Sequence, residues 1–447
     1  MVEDLVRILD YNRDLEEIRS IAARRATEID GDLIASVASI IEDVRRRGDE
    51  AILDATERYD SVKLSEIAVP RGEIEDALGE LPGKVKTALE MAAGRIETVS
   101  RSLLPPESIW TREIEPGITV GEKVTPIPSV GLWVPSRKGP LASTMLMLAV
   151  PARTAGVGEI IAATPPMADG SVDPATLAAA EIGGATRVIR GNGVALIGAM
   201  SSGTESVPRV GAIYGPGPPA IMAALGYAAI YGTRTGPSLG PSECMVIADE
   251  TSDPGEVAAD LLNECEHGPD SSCVLVTDSE ALAREVIDAL VSTADGLPEP
   301  RRGFVREALP RTGMIVLVKT LEDAASIANE FAPEHLQIAL EGERQSHVLK
   351  LVENAGEILL GQSTPFSAAN YAMGITAVLP TGGTAKAFSG INARDFVKAS
   401  TLGSVERGSL EGICDIVSAL GEVEGFPAHV EACRRKMRNF DKSEGNK

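Results

Sequence analysis

Four histidines occur in the 447 residues. Three stand in polar, helix-ending or turn-like contexts: Glu264-Cys265-Glu266-His267-Gly268-Pro269-Asp270, Ala332-Pro333-Glu334-His335-Leu336 and Glu424-Gly425-Phe426-Pro427-Ala428-His429. Imidazole is the usual metal ligand and proton shuttle near neutral pH, so these segments are the first candidates for a metal or acid–base site. The fourth, His347, follows Glu343-Arg344-Gln345-Ser346 and reads as a surface residue.

Each candidate has a chemical and an ordinary reading. Asp253-Pro254-Gly255-Glu256 is a capping box with proline at the first helical position, and Val257, Leu261, Leu262 and Cys265 follow as an apolar face. A helix begun there must stop at Gly268-Pro269. Glu264 and His267 then share its last turn, close enough to bind one ion, although a solvated helix end has the same sequence. Glu334 and His335 are adjacent, so they cannot share a helix face but can line a turn, where either could act as a general base. The alternative is a proline-led turn with a solvent-facing acid and a core histidine.

The glycine-rich segments are ambiguous. Tyr214-Gly215-Pro216-Gly217-Pro218-Pro219 follows a predicted strand and precedes a predicted helix, but its three prolines lack the N–H groups a phosphate cradle needs. In Gly236–Glu243, Ser242 either binds a ligand or caps a turn.

The elements that must position these residues follow from periodicity. Leu15–Arg25 and Leu33–Arg47 read as helices, and from Gly131 the chain alternates short β-branched strands with small-residue helices. A second alternating stretch begins at Met245, and Leu410–Leu420 and Ala428–Phe440 read as terminal helices. Such alternation predicts an α/β fold with two parallel-sheet units, whose ligand crevices lie at the carboxyl ends of the strands. Leu297–Arg302 reads as an exposed loop. The expected domains are a helical arm over 1–27, one α/β domain over 28–130 and 241–384, a second over 131–240, and a C-terminal arm over 385–447.

Composition narrows the function. Hydrophobic residues make up 44% and charged residues 24%, which fits a globular chain of about three domains. A net charge of −23 disfavours nucleic acid and anionic lipid as partners. Met1-Val2-Glu3-Asp4 is acidic, unlike a secretory leader, and the apolar run around Met145–Ala152 is too short to span a bilayer. Five cysteines are an odd and sparse set that argues against a disulfide framework. The expectation is a cytoplasmic protein.

Taken in order, the segments Gly131–Pro135, Pro140–Thr144, Gly203–Pro208, Gly215–Gly217, Gly240–Glu243, Asp260–Leu262, Glu266–Asp270, Ala332–Leu336, Val378–Thr381 and Glu424-Gly425 with His429 resemble the histidinol dehydrogenase family from about residue 20 to 430. The resemblance implies an aldehyde-dehydrogenase-like α/β fold with helical terminal arms and a homodimer with swapped arms, the catalytic and metal residues in the domain of 28–130 and 241–384 and the cofactor side in 131–240. It further implies one zinc per active site and two successive NAD-dependent oxidations of an amino alcohol. It places His335 as catalytic base and Glu334 as water-activating acid. Ser242, Glu264, His267, His335, Asn370, Glu424 and His429 fall on substrate positions, and Glu264, His267, Asn370 and His429 on zinc positions.

The chain also departs from the family pattern. Glu264 and Asn370 stand where glutamine and aspartate are usual, so the ligand set keeps one negative charge and four donors. Trp133, Ala195 and Pro218 replace the tyrosine, glutamine and asparagine that meet NAD. Trp133 could still stack on a ring, whereas Ala195 and Pro218 offer no side-chain hydrogen bond. Ala377 replaces a histidine and widens the site. Three functions are therefore compatible with the sequence: oxidation of L-histidinol to L-histidine, oxidation of another small polar alcohol such as a sulfonated diol, and non-catalytic ligand binding.

Overall fold

The computed structural model describes residues 6–25, 29–136, 139–237 and 240–444, with side chains through Arg438. Met1–Asp4 and two residues of the Gly236–Glu243 turn, Ser238 and Leu239, lie outside the described residues. The chain divides into a large unit, 1–103 with 127–396, and a small unit, 104–126 with 397–447. Among the described residues no helix is long and apolar enough to cross a membrane.

The large unit begins with β1 (Arg7–Asp10), α1 (Leu15–Ala23), α2 (Gly31–Arg47), α3 (Asp49–Asp60), α4 (Arg71–Glu80) and α5 (Gly83–Leu103). The small unit supplies β2 (Ile109–Glu115) and β3 (Ile118–Pro126). The first alternation follows as β4 (Ser129–Trp133), α6 (Ala142–Ala155), β5 (Glu159–Thr164), α7 (Pro174–Gly183), β6 (Arg187–Arg190), α8 (Gly193–Ser202), β7 (Ala212–Tyr214), α9 (Pro219–Ile230) and β8 (Arg234–Thr235). These strands form a parallel sheet in the order β6-β5-β4-β7-β8.

The second alternation runs β9 (Glu243–Ala248), α10 (Pro254–Cys265), β10 (Ser272–Thr277), α11 (Glu280–Gly296), α12 (Arg301–Thr312), β11 (Met314–Leu317), α13 (Leu321–Phe331), β12 (His335–Ala339), α14 (Gly342–Leu351), β13 (Glu357–Leu360) and α15 (Phe366–Tyr371). Its parallel sheet has the order β1-β11-β10-β9-β12-β13. Strand β9 is buried at all six positions, as expected of a central parallel strand covered on both faces.

Two differences from the sequence expectation have simple causes. The supposed helical arm contributes a strand: Arg7–Asp10 pairs in parallel with β11, burying Leu9 while its short length hides it from periodicity arguments. Helices α2 and α3 direct Val37, Ile41, Val44 and Ile52 into a core shared with Ile161, Ile189 and Leu196, so they cover the β4–β8 sheet rather than the β9–β13 sheet with which 28–130 was grouped.

In the small unit, β2 and β3 form an antiparallel hairpin turning at Gly117 (φ +72°), a backbone angle glycine adopts without strain. Strand β14 (Val397–Val405) pairs antiparallel with β3, and α16 (Leu410–Val423) and α17 (Pro427–Glu444) follow. A disulfide joins Cys414 to Cys433, contrary to the expectation from an odd cysteine count. The helices form a hairpin that brings the two thiols together, whereas Cys244, Cys265 and Cys273 stay free and buried.

Candidate acid–base and metal site

Parallel pairing puts the starts of neighbouring strands side by side. His335 opens β12 and is in register with Cys244 of β9 and Glu357 of β13. Ser242, Glu243, Glu334, His335 and Glu357 therefore gather at the amino edge of the sheet. The expected carboxyl-end crevice is not where these residues meet. Helices antiparallel to the strands end at this edge, so α10 brings Glu264 here in its last turn and α13 ends at Phe331, just before Pro333-Glu334. Helix carboxyl termini carry partial negative charge, and such an edge favours cations.

Glu264 is the hub. Its side chain is 1% exposed, and its Oε2 accepts from Ser242 Oγ at 2.7 Å and lies 3.5 Å from His267 Nε2. Its Oε1 accepts from Asn370 Nδ2 at 3.0 Å and from Asn263 Nδ2 at 2.7 Å. Burial would raise its pKa, but His335, His267, Ser242 and Asn370 together hold it below the usual value, so the carboxylate stays ionised.

Glu334 is also buried, and burial drives its pKa well up, helped by the charges of Glu264 and Glu243 against the opposing pull of His335. Its Oε2 accepts from Glu243 N at 2.9 Å and lies 3.1 Å from Ser242 Oγ. Ser242 has one hydroxyl proton between two carboxyl groups, which is best satisfied when Glu334 carries a proton of its own. His335 shows the opposite balance. Burial would lower its pKa, but Glu264, Glu334 and Glu357 outweigh that and raise it. Its Nε2 is 3.7 Å from both Glu264 Oε2 and Glu334 Oε1, and its Nδ1 is 2.5 Å from Glu357 Oε1.

Glu243 closes the Gly240–Glu243 segment but had no role assigned, and Arg25 was marked by no motif. Glu243 is fully buried; its Oε2 meets Arg25 Nη1 at 2.6 Å and its Oε1 accepts from Gly382 N at 2.7 Å. The Arg25 guanidinium lies over the Phe331 ring, 3.6 Å from its centroid. The pair secures the loops on either side of the site.

A zinc ion can be tested against this donor set. An ionised buried carboxylate, an imidazole and an amide side chain converge within one small volume, and oxygen and nitrogen donors of this kind suit Zn²⁺. Among the described residues no group of three or more His, Cys, Asp and Glu side chains is arranged to hold an ion. Asn370 meets Glu264 through its amide Nδ2, and its Oδ1 is the atom a cation would take. Of the expected metal residues, the large unit brings together Glu264, His267 and Asn370, whose chemistry makes them possible donors. Glu424 follows α16 and His429 lies in the first turn of α17, both in the small unit.

The three proposed cofactor positions belong to the other sheet. Trp133 ends β4 and is 4% exposed; its indole lies against Gly193, where a Cβ would come within 2.6 Å of the ring. Ala195 is fully buried, and Pro218 is exposed immediately before α9. The first turn of α8 is capped by Asn192, whose side chain accepts from Ala195 N. These side chains do not fit a dinucleotide site built on side-chain hydrogen bonds, because two are core and the ring of Pro218 carries neither donor nor acceptor. Ala377 is half-buried against the core beside β4.

Comparison with known proteins decides the family. A model of the histidinol dehydrogenase family matches residues 23–437. The chain belongs to the histidinol dehydrogenase family. It is 39% identical to the histidinol dehydrogenase of Methanosarcina mazei over 402 residues, covering 90% of this chain and 91% of the relative. It is 38% identical to that of Methanothermobacter thermautotrophicus, covering 97% and 100%. The crystal structure of histidinol dehydrogenase from Elizabethkingia anophelis superimposes with a TM-score of 0.91 at 31% identity, covering 98% of each chain. Membership in this family makes the chain an enzyme of the oxidoreductase class.

Proposed function

We propose that this histidinol dehydrogenase family member oxidises L-histidinol to L-histidine through the aldehyde, in the cytoplasm, as a step of histidine biosynthesis. The observation carrying the reading is the buried imidazole of His335, whose Nε2 faces Glu264 and Glu334. In its neutral form His335 takes the alcohol proton at Nε2, and Glu334 in its ionised form takes a proton from the water that adds to the aldehyde in the second oxidation. Ser242 orients both carboxyl groups. Glu264, His267 and Asn370 would hold Zn²⁺, with His429, and with Glu424 against the substrate, supplied by the small unit of a second copy in a homodimer. Bound there, the ion would polarise the alcohol oxygen. NAD as hydride acceptor rests on family membership, and no step at Trp133, Ala195 or Pro218 is derived for it.

A second reading is oxidation of another small polar alcohol such as a sulfonated diol, since Ala377 stands where the family has a histidine and offers no polar side chain. Assay of zinc-loaded protein for NADH formation with L-histidinol and a panel of such alcohols separates the two. Turnover of histidinol supports the first, turnover of another alcohol alone supports the second, and inactivity with every alcohol overturns both.

A further inference from the structure

We propose that Glu357 is the positioning residue of the acid–base centre: its carboxylate receives the Nδ1 proton of His335 and so turns Nε2 toward Glu264 and Glu334. The proposal rests on the reading of His335 as the base. Glu357 opens β13 directly opposite His335 in the parallel ladder, and Oε1 lies 2.5 Å from Nδ1. The two side chains are 5% and 3% exposed. An ionised carboxylate only accepts, so the nitrogen facing it keeps a proton in either state of the ring. The working nitrogen is then always Nε2, the logic by which a buried acid fixes the tautomer of a catalytic histidine.

The surroundings hold the pair in place. Phe366, fully buried, packs edge-on to the imidazole with ring centroids 5.6 Å apart. Glu357 N donates to Glu334 O at 2.9 Å, and Gly356 permits this approach, because a Cβ there would sit 2.5 Å from the same oxygen. The carboxylate is thus delivered by a strand. Its second oxygen, Oε2, is buried without a hydrogen bond among the described residues, an arrangement that costs stability and that packing alone would replace by an apolar side chain.

Two variants and two readouts test this in the full-length, zinc-loaded protein. Glu357→Gln preserves volume, but its amide donates as well as accepts and no longer enforces a proton on Nδ1. With L-histidinol, or with whichever alcohol is turned over, E357Q is expected to lower kcat on the order of 100-fold while KM stays within about threefold. Glu357→Asp, still an acceptor only, is expected to retain more kcat than E357Q. Wild-type kcat in E357Q overturns the proposal, as does an equal loss in both variants accompanied by a lowered thermal midpoint. If the wild type oxidises no alcohol tested, the reading of function fails, and the pair is judged by NMR of protein labelled with ¹⁵N-histidine. A strongly downfield proton on His335 Nδ1, missing in H335N and lost or moved upfield in E357Q, supports the pair; a resonance unchanged in E357Q overturns it.

Discussion

The amino edge of the β9–β13 sheet and the carboxyl edge of the β4–β8 sheet are built from similar βα units but hold opposite kinds of side chain. At the first, Glu243, Glu264, Glu334, His335 and Glu357 are all buried and paired with one another or with Arg25. At the second, Trp133 and Ala195 have joined the apolar core. Buried charge is costly unless compensated, so its concentration at one edge marks where function constrains the chain. Helix termini reinforce the contrast, since α10 and α13 end at the charged edge and favour cations, whereas α8 and α9 begin beyond the strands of the other sheet.

The contrast breaks most sharply at His335. His335→Ala is expected to reduce alcohol oxidation on the order of 10²–10⁴-fold, measured as initial rates of NADH formation. Arg25→Met leaves Glu243 buried without its cation and should destabilise by about 3–5 kcal/mol in denaturant unfolding. Loss below about 1 kcal/mol would show that the charges at this edge are independently solvated.

Asp260 sharpens the comparison, because it is a buried carboxylate beside this edge that meets no cation among the described residues. Burial raises its pKa from 3.8 to about 6, against hydrogen bonds from Gln337 and the Phe366 backbone. A carboxyl raised in the folded state binds more protons there than when unfolded, so its contribution falls as pH rises from about 4 through 6. Asp260→Asn should therefore stabilise the protein at pH 7 by up to about 2–3 kcal/mol and have little effect at pH 4, read from denaturant midpoints at both values. On the apolar edge, Ala195→Gln should overpack the core and destabilise by about 1–3 kcal/mol without improving NAD affinity, checked by unfolding and by titration with the dinucleotide.

Much of this contrast was legible in the sequence. The capping box at Asp253 and the stop at Gly268-Pro269 fixed the α10 end that brings Glu264 to His267, and local rules suffice for such an end. The alternation of strands and helices announced two parallel sheets. Strand order is set by long-range pairing, however, so nothing local could show that β12 lies between β9 and β13, or that Glu357 faces His335. The edge strand Arg7–Asp10 and the β2–β3 hairpin were missed for a related reason: four residues carry little periodicity, and Ile109–Glu115 is exposed throughout. Burial of Trp133 and Ala195 was hidden as well, because a tryptophan at a strand end reads equally as a platform or as core. The Cys414–Cys433 bridge depends on the turn between α16 and α17, which an odd cysteine count obscures.

Elemental analysis of purified, zinc-equilibrated protein, wild type beside His267→Ala, bears most directly on the cation-favouring edge. One zinc per wild-type chain, with the ion lost in a folded His267→Ala protein, is the expected result. No stoichiometric ion in the wild type, or an undiminished content in the variant, would contradict it.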